Sequence, residues 1–428
     1  MRYFFVLILV AGLMATGCGD DGCGSNGCGG AGGAAGSGGA AGTGGGSGSG
    51  GSAGGSGGGG GTAGTAGTAG DGGAGGEIGA VELQVEDYIL GLTRPWDIAW
   101  LPNETVLVTE RTGNLKVFID GPDQAPVVFP IEDVKVQGEG GMLGLEVDPS
   151  FDENGYIYVC MASSAVPDND VRVVRFTMSR PNADAIEERT DIVTGMPYNN
   201  ASRGRHSGCR PRFGPDGFLW VGTGDAAIGE TPQSDSSLGG KVLRIDRGGN
   251  AAPGNPGGRR WYSKGHRNVQ GMAFRSDGLG MSAEHGPGTD DEVNLLSAGN
   301  FGWDPVFPDD RAGYNEQVPM TDTEKFPDAI EAAWSTGRPT LALCGASFIE
   351  GRVWGDWDGV LAVATLKAQH LHVFDVDAEG NATSLGRFVE GQGRLRGVSQ
   401  GPDGLVYITT DGRDDGDRVL RVTPIPVR

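Results

Sequence analysis

Five stretches of the chain repeat one pattern of apolar and polar positions, an apolar run, a turn rich in Pro, Asp and Gly, and a second apolar run. They are DIAWLPNETVLVTE (97–110), GLEVDPSFDENGYIYVCM (144–161), RFGPDGFLWVGTGD (212–225), AFRSDGLGMSAEHG (273–286) and SQGPDGLVYITTDG (399–412). A poorer copy, ASFIEGRVWGDWDGVLAVATLK (346–367), takes its turn from Gly355 to Gly359. Short runs bounded by turn residues, with little helical periodicity, predict β-hairpins. The copies recur at roughly 45 to 80 residues, and a β unit at that period cannot bury both faces alone, so neighbours must stack. The pattern predicts an all-β, six-bladed β-propeller over residues 81–428, against the alternative of a β-sandwich or several small β domains. In a propeller the blade starts converge on one face, so residues there share a mouth.

Composition changes abruptly before the repeats. Residues 1–17 carry an early basic residue, an apolar stretch from Phe4 to Ala15 and small residues before Cys18. This reads as an export signal. Ala15-Thr16-Gly17-Cys18 is similar to a bacterial lipoprotein cleavage site, which makes Cys18 the expected lipidation site and a lipid anchor the only expected membrane contact. The expected location is therefore the bacterial cell envelope, facing the periplasm or the cell surface. From Gly29 to Gly70 every residue is Gly, Ala, Ser or Thr. Such a chain has too little apolar surface to offset its entropy, so 18–80 is expected to be a flexible linker.

The formal net charge of −22 and the absence of a basic stripe argue against a nucleic-acid partner. Beyond the three tail cysteines, Cys160, Cys209 and Cys344 allow at most one bridge among them, and the pairing stays open.

Unusual residues cluster at the blade starts. RGRHSGCR (203–210) puts His206 and Arg210 before the third, KGHRNVQG puts Lys264, His266, Arg267 and Asn268 before the fourth, and GRLRG puts Arg394 and Arg396 before the sixth. Lys367 ends the second strand of the fifth. Cations gathered at one mouth need anions, and guanidinium forks suit carboxylates or phosphates. Asp290, Asp291 and Glu292, beside a Gly-Pro turn that offers carbonyls, are oxygen donors of the type calcium takes. His370 and His372 share a strand face, Phe301 and Trp303 read as packing, and His266 and His285 read as structural.

The segments GEGGMLGLEVDPSF, RHSGCRPRFGPDGFLWVGTGD, LGGKVLRID, GHRNVQGMAF, EHGPGTDDEVNLLSAGNFGW and GRLRGVSQGPDG resemble, in order, the glucose/sorbosone dehydrogenase family. That family includes soluble aldose dehydrogenases that use pyrroloquinoline quinone (PQQ), on a six-bladed propeller. The resemblance implies two catalytic residues, His206 as base and Arg267 to stabilise negative charge developing on the quinone oxygen, with Arg267 and Asn268 on the quinone side of the cofactor and Glu139, Arg210, Lys367, Arg394 and Arg396 as further cofactor contacts. It implies the carbonyls of Gly286 and Pro287 as donors to a calcium ion beside the cofactor, and Glu292 in a neighbouring calcium site. The expected activity is oxidation of an aldose or related polyol to a lactone or acid, with electrons passed to an external acceptor.

Three departures stand out. Glu139 stands where the family often has a glutamine, and its carboxylate would repel a tri-anion unless an arginine pairs with it or it is protonated. Arg205 stands where glucose-oxidising members have aspartate, and Cys209 replaces a small residue. A neutral His206 is expected from the neighbouring Arg203, Arg205 and Arg210. The alternatives are a calcium-dependent lactonase and a non-catalytic carbohydrate- or protein-binding propeller.

Overall fold

The computed structural model describes residues 81–412 and 416–425. The expected signal segment, the linker and Cys18 lie outside the described residues.

The described chain forms six antiparallel sheets in sequence. Blade 1 is built of Pro95–Trp100, Val106–Glu110, Asn114–Phe118 and Val127–Pro130, and blade 2 of Met142–Val147, Tyr156–Ser163, Asp170–Met178 and Ile186–Met196. Blade 3 is built of Arg210–Phe213, Leu219–Gly222, Lys241–Ile245 and Trp261–Lys264, with Gly299–Asn300 added in parallel at its edge. Blade 4 contains Val269–Phe274, Gly280–Glu284, Glu292–Leu295 and Trp334–Ser335; blade 5 contains Leu343–Ile349, Val360–Thr365, Leu371–Val376 and Ala382–Phe388. Each predicted repeat is the inner hairpin of one blade, so the expected six-bladed β-propeller is what forms.

Ring closure had no signal in the repeat. Blade 6 takes Leu395–Gln400, Val406–Thr410 and Asp417–Ile425 from the end of the chain, and its outer strand, Glu82–Leu92, from the beginning. Pairing of Glu82 with Ile425 through Leu92 with Asp417 joins the two ends in one sheet. Main-chain hydrogen bonds thus close the ring, which removes two open edges.

The inner strands are almost wholly buried, and each packs on those of its two neighbours around the circle. Six apolar clusters lie one between each adjacent pair of blades, for example Leu107, Leu115, Phe151 and Ile157 between blades 1 and 2. Each fully buried Val, Leu, Ile or Phe contributes about 1.5–3 kcal/mol, and because the clusters straddle blades, no blade is stabilised alone. The far ends of the inner strands frame a cavity of about 580 Å³ lined by Trp100, Phe213, Phe274 and Phe348. The candidate residues lie at the opposite ends, the starts.

Candidate active site

His206 sits in the loop between blades 2 and 3, in a left-handed conformation with φ 55°. Such a backbone costs a β-carbon-bearing residue about 1 kcal/mol or more, so neighbours must hold it. Gly224 does so by close approach, since a Cβ there would lie 1.9 Å from the His206 carbonyl oxygen. Gly138 allows the same at Arg203, where a Cβ would lie 2.0 Å from the carbonyl oxygen. The loop is also covalently tethered, because Cys209 is bonded to Cys160 in the second strand of blade 2, with a Cα–Cα distance of 5.9 Å. That resolves the open pairing, and Cys344 is left as a buried free thiol.

The His206 ring is 2% exposed. Its Nδ1 lies 2.7 Å from Asp225 Oδ1. A carboxylate can only accept, so Nδ1 carries the proton and Nε2 keeps its lone pair. Asp225 is fixed in turn by Trp303 Nε1, which donates to Oδ2 at 2.8 Å, and by the Tyr314 hydroxyl, which donates to the same oxygen at 2.6 Å. Burial lowers the His206 pKa below its usual 6.5, the Arg267 charge lowers it further, and Asp225 opposes both. Burial pushes the Asp225 carboxyl up, but His206 and Arg267 outweigh it and hold the group ionised. The site therefore contains a neutral imidazole oriented by a charged carboxylate. The cation that favours the neutral form is Arg267, from blade 4, rather than the Arg203, Arg205 and Arg210 expected from their nearness in sequence.

Glu139 and Asn268 frame the loop. Glu139 Oε2 accepts the His206 backbone N–H at 3.0 Å and Asn268 Nδ2 at 3.3 Å, while Asn268 Oδ1 accepts the Gly208 N–H at 3.1 Å. The Glu139 carboxylate is thus engaged by neutral donors and joins the His206 loop to blade 4.

The expected convergence of bare cations is corrected by acidic partners. Arg210 pairs with Asp97 at 2.6 Å, lies 4.2 Å over the Trp96 ring and donates from Nε to the Gln270 carbonyl at 2.7 Å. Arg396 pairs with Asp411 and donates to Gln270 Oε1 at 3.0 Å, close to the Cys344 thiol. Arg267 pairs with Glu316 Oε1 at 2.7 Å and donates to the His285 carbonyl at 3.0 Å. Lys264 leaves the site altogether and pairs with Asp235 at 2.9 Å. Lys367 is exposed and donates to Thr340 Oγ1 at 3.2 Å, and Arg394 is half-buried. Buried nitrogens at Arg267 Nε and His285 Nε2 have no hydrogen-bond partner. The unpartnered Arg267 Nε is a charged donor of the kind an anion takes, whereas burial beside Arg267 and Arg396 keeps His285 neutral.

The acidic trio after the Gly-Pro turn does not converge. Asp291 accepts the N–H groups of Gly286 at 2.8 Å and of Leu341 and Ala342 at 2.6 Å each. It therefore pins the Gly286–Pro287 turn to the segment that leads into blade 5. Asp290 turns to Ser335 and Thr289. Glu292 is buried with Thr321 and Asn294, and burial beside Glu284 raises its pKa well above the usual range. Among the described residues no group of three or more His, Cys, Asp or Glu side chains is placed to hold a metal ion. Calcium takes six to eight oxygens, so the carbonyls of the Gly286–Pro287 turn would have to be joined by further donors.

The remaining histidines separate. His266 is enclosed between Glu284 at 2.9 Å and Ser263 at 2.8 Å, a structural role. His370 Nε2 and His372 Nδ1 bond to each other at 3.1 Å. Asp225, Tyr314 and Glu316 were not singled out in the sequence, and Trp303 has a second role beyond packing.

The sequence profile described as glucose/sorbosone dehydrogenase matches residues 92–421. The aldose sugar dehydrogenase YliI of Escherichia coli is 28% identical over 352 residues, covering 78% of this chain and 91% of its own. The quinoprotein glucose dehydrogenase B of Acinetobacter calcoaceticus is 30% identical over 260 residues, 53% of this chain and 52% of its own. A PQQ-bound aldose sugar dehydrogenase from Streptomyces coelicolor superimposes with a TM-score of 0.66 at 27% identity, covering 81% of this chain and 99% of that one.

Proposed function

The chain belongs to the glucose/sorbosone dehydrogenase family, and from that premise we propose that it oxidises an aldose or related polyol with PQQ, using His206 as the base. The observation that carries the reading is the buried His206–Asp225 pair beside Arg267. When bound, PQQ supplies the two-electron acceptor that takes hydride from the substrate carbon. Arg267 and Asn268 would hold its quinone edge, and Lys367, Arg394 and Arg396 its carboxylates.

His206 Nε2 accepts the hydroxyl proton, and Asp225 stabilises the imidazolium that results, the role a buried carboxylate plays behind a general base. Tyr314 and Trp303 keep Asp225 from rotating. A calcium ion at the Gly286 and Pro287 carbonyls would raise the electrophilicity of the quinone. Export with a lipid anchor at Cys18 belongs to the same proposal, and the Cys160–Cys209 bridge supports an oxidising compartment.

The test is to add PQQ and calcium to the protein and follow dye reduction over a panel of sugars. Failure to bind PQQ, read by absorbance or calorimetry, rejects the proposal. His206→Ala should abolish turnover while leaving PQQ affinity nearly intact.

A further inference from the structure

We infer that Glu316 sets the charge class of the substrate, admitting neutral hydroxylated sugars and excluding acidic ones by occupying two arginines beside the base. The inference rests on the dehydrogenase reading of the site. Glu316 Oε1 pairs with both Arg267 Nη2 and Arg205 Nη2. Arg205 is the residue before His206, and Arg267 is the charge that most depresses the His206 pKa. Two residues before Glu316, Tyr314 donates to Asp225, and the Arg205 guanidinium lies 5.8 Å from the Tyr314 ring centre. One loop thus brings the tyrosine and the carboxylate to the base together.

Exposure separates the members of this group. The Arg267 side chain is 4% exposed, whereas those of Arg205 and Glu316 are 28% and 30% exposed. Arg205 and Glu316 are thus the solvent-facing members of the group, and Arg267 is the buried one. Burial pushes the Glu316 carboxyl up, but Arg267 and Arg205 outweigh it, so the group is ionised at neutral pH. An ionised carboxylate has about four lone-pair sites, so acceptor capacity remains for sugar hydroxyls after two ion pairs. A substrate carboxylate is disfavoured there, because it meets a like charge and competes with Glu316 for the same two guanidiniums.

The test compares D-glucuronate with D-glucose. In Glu316→Gln, glucuronate affinity measured by calorimetry without cofactor rises on the order of tenfold over the wild type, because two guanidiniums are uncovered. Glu316→Ala gives the same gain, which separates loss of charge from any fit peculiar to glutamine. In the double variant Glu316→Gln with Arg205→Gln the gain falls by at least half, because only Arg267 of the two uncovered guanidiniums remains. With PQQ present, the glucuronate-to-glucose ratio of kcat/KM rises in parallel. Unchanged glucuronate affinity in Glu316→Gln, or a gain that is undiminished in the double variant, overturns the inference. A wild-type protein that oxidises no sugar overturns the dehydrogenase reading instead, and the cofactor-free binding result still decides the role of Glu316.

Discussion

His206 Nδ1 and Asp225 Oδ1 lie 2.7 Å apart although 19 residues separate them, because the inner hairpin of blade 3 runs out from the base loop and returns beside it. The carboxylate fixes which ring nitrogen can accept a proton. Replacing it by a group that also donates should upset that choice. In Asp225→Asn, turnover is expected to fall by roughly 10²–10⁴, the usual worth of a positioned base, with PQQ affinity little changed. Steady-state kinetics alongside PQQ titration checks both halves, and an unchanged kcat would remove Asp225 from the mechanism.

The pH profile follows from the depressed His206 pKa. Activity requires the neutral ring, so the acid limb of kcat/KM is expected below pH 6.5. Arg267→Gln removes a charge that lowers the pKa, and the limb should move upward. The same depression means that between the folded value and 6.5 the unfolded chain binds more protons than the folded one. The stability contribution of this group is therefore complete above pH 6.5 and is lost as pH falls through the folded value. Rate profiles of both proteins give the first comparison, and melting temperatures of wild type and His206→Gln across pH 4–8 give the second.

Cys209 lies three residues from His206 and is tied to Cys160, 49 residues earlier in the chain. Opening a loop of that size is expected to cost about 2–4 kcal/mol. The double replacement Cys160→Ala with Cys209→Ala should lower the melting temperature and also reduce kcat, since the left-handed turn at His206 loses its covalent anchor. Thiol titration of the denatured, unreduced protein should find Cys344 reactive and Cys160 and Cys209 unreactive until reductant is added.

Glu139 accepts from the His206 backbone and from Asn268, and the carbonyl oxygen of a glutamine can do the same. Glu139→Gln is therefore expected to keep kcat within a few-fold while tightening PQQ binding, because one negative charge beside a tri-anion is removed. Glu139→Ala should lower kcat instead, by freeing the loop. PQQ titrations of the two variants distinguish the electrostatic effect from the positional one.

Much of the fold was legible in the sequence, because each inner hairpin is specified by its own apolar runs and turn. The outer strands were less so; Glu82–Leu92 has no repeat to announce it, and its partner Asp417–Ile425 lies at the other end of the chain. In the site, His206, Arg267 and Asn268 stand in local motifs and are brought together as expected. Their counter-charges were not legible. Asp97 reaches Arg210 from blade 1, Asp411 reaches Arg396 across a blade 6 hairpin, and Glu316 comes from the long irregular stretch between the third and fourth strands of blade 4.

What the sequence determined by itself was the kind of unit and its number, since turn chemistry and apolar alternation act over a dozen residues and need no distant partner. It also marked His206 and the cations, which stand in local motifs at the blade starts. Only the tertiary structure decided the Cys160–Cys209 pairing, the ionisation of His206, the dispersal of Asp290, Asp291 and Glu292, and the meeting of Glu316 with Arg205 and Arg267. Each of these depends on distance and burial between residues far apart in the chain, quantities that exist only once the ring has closed.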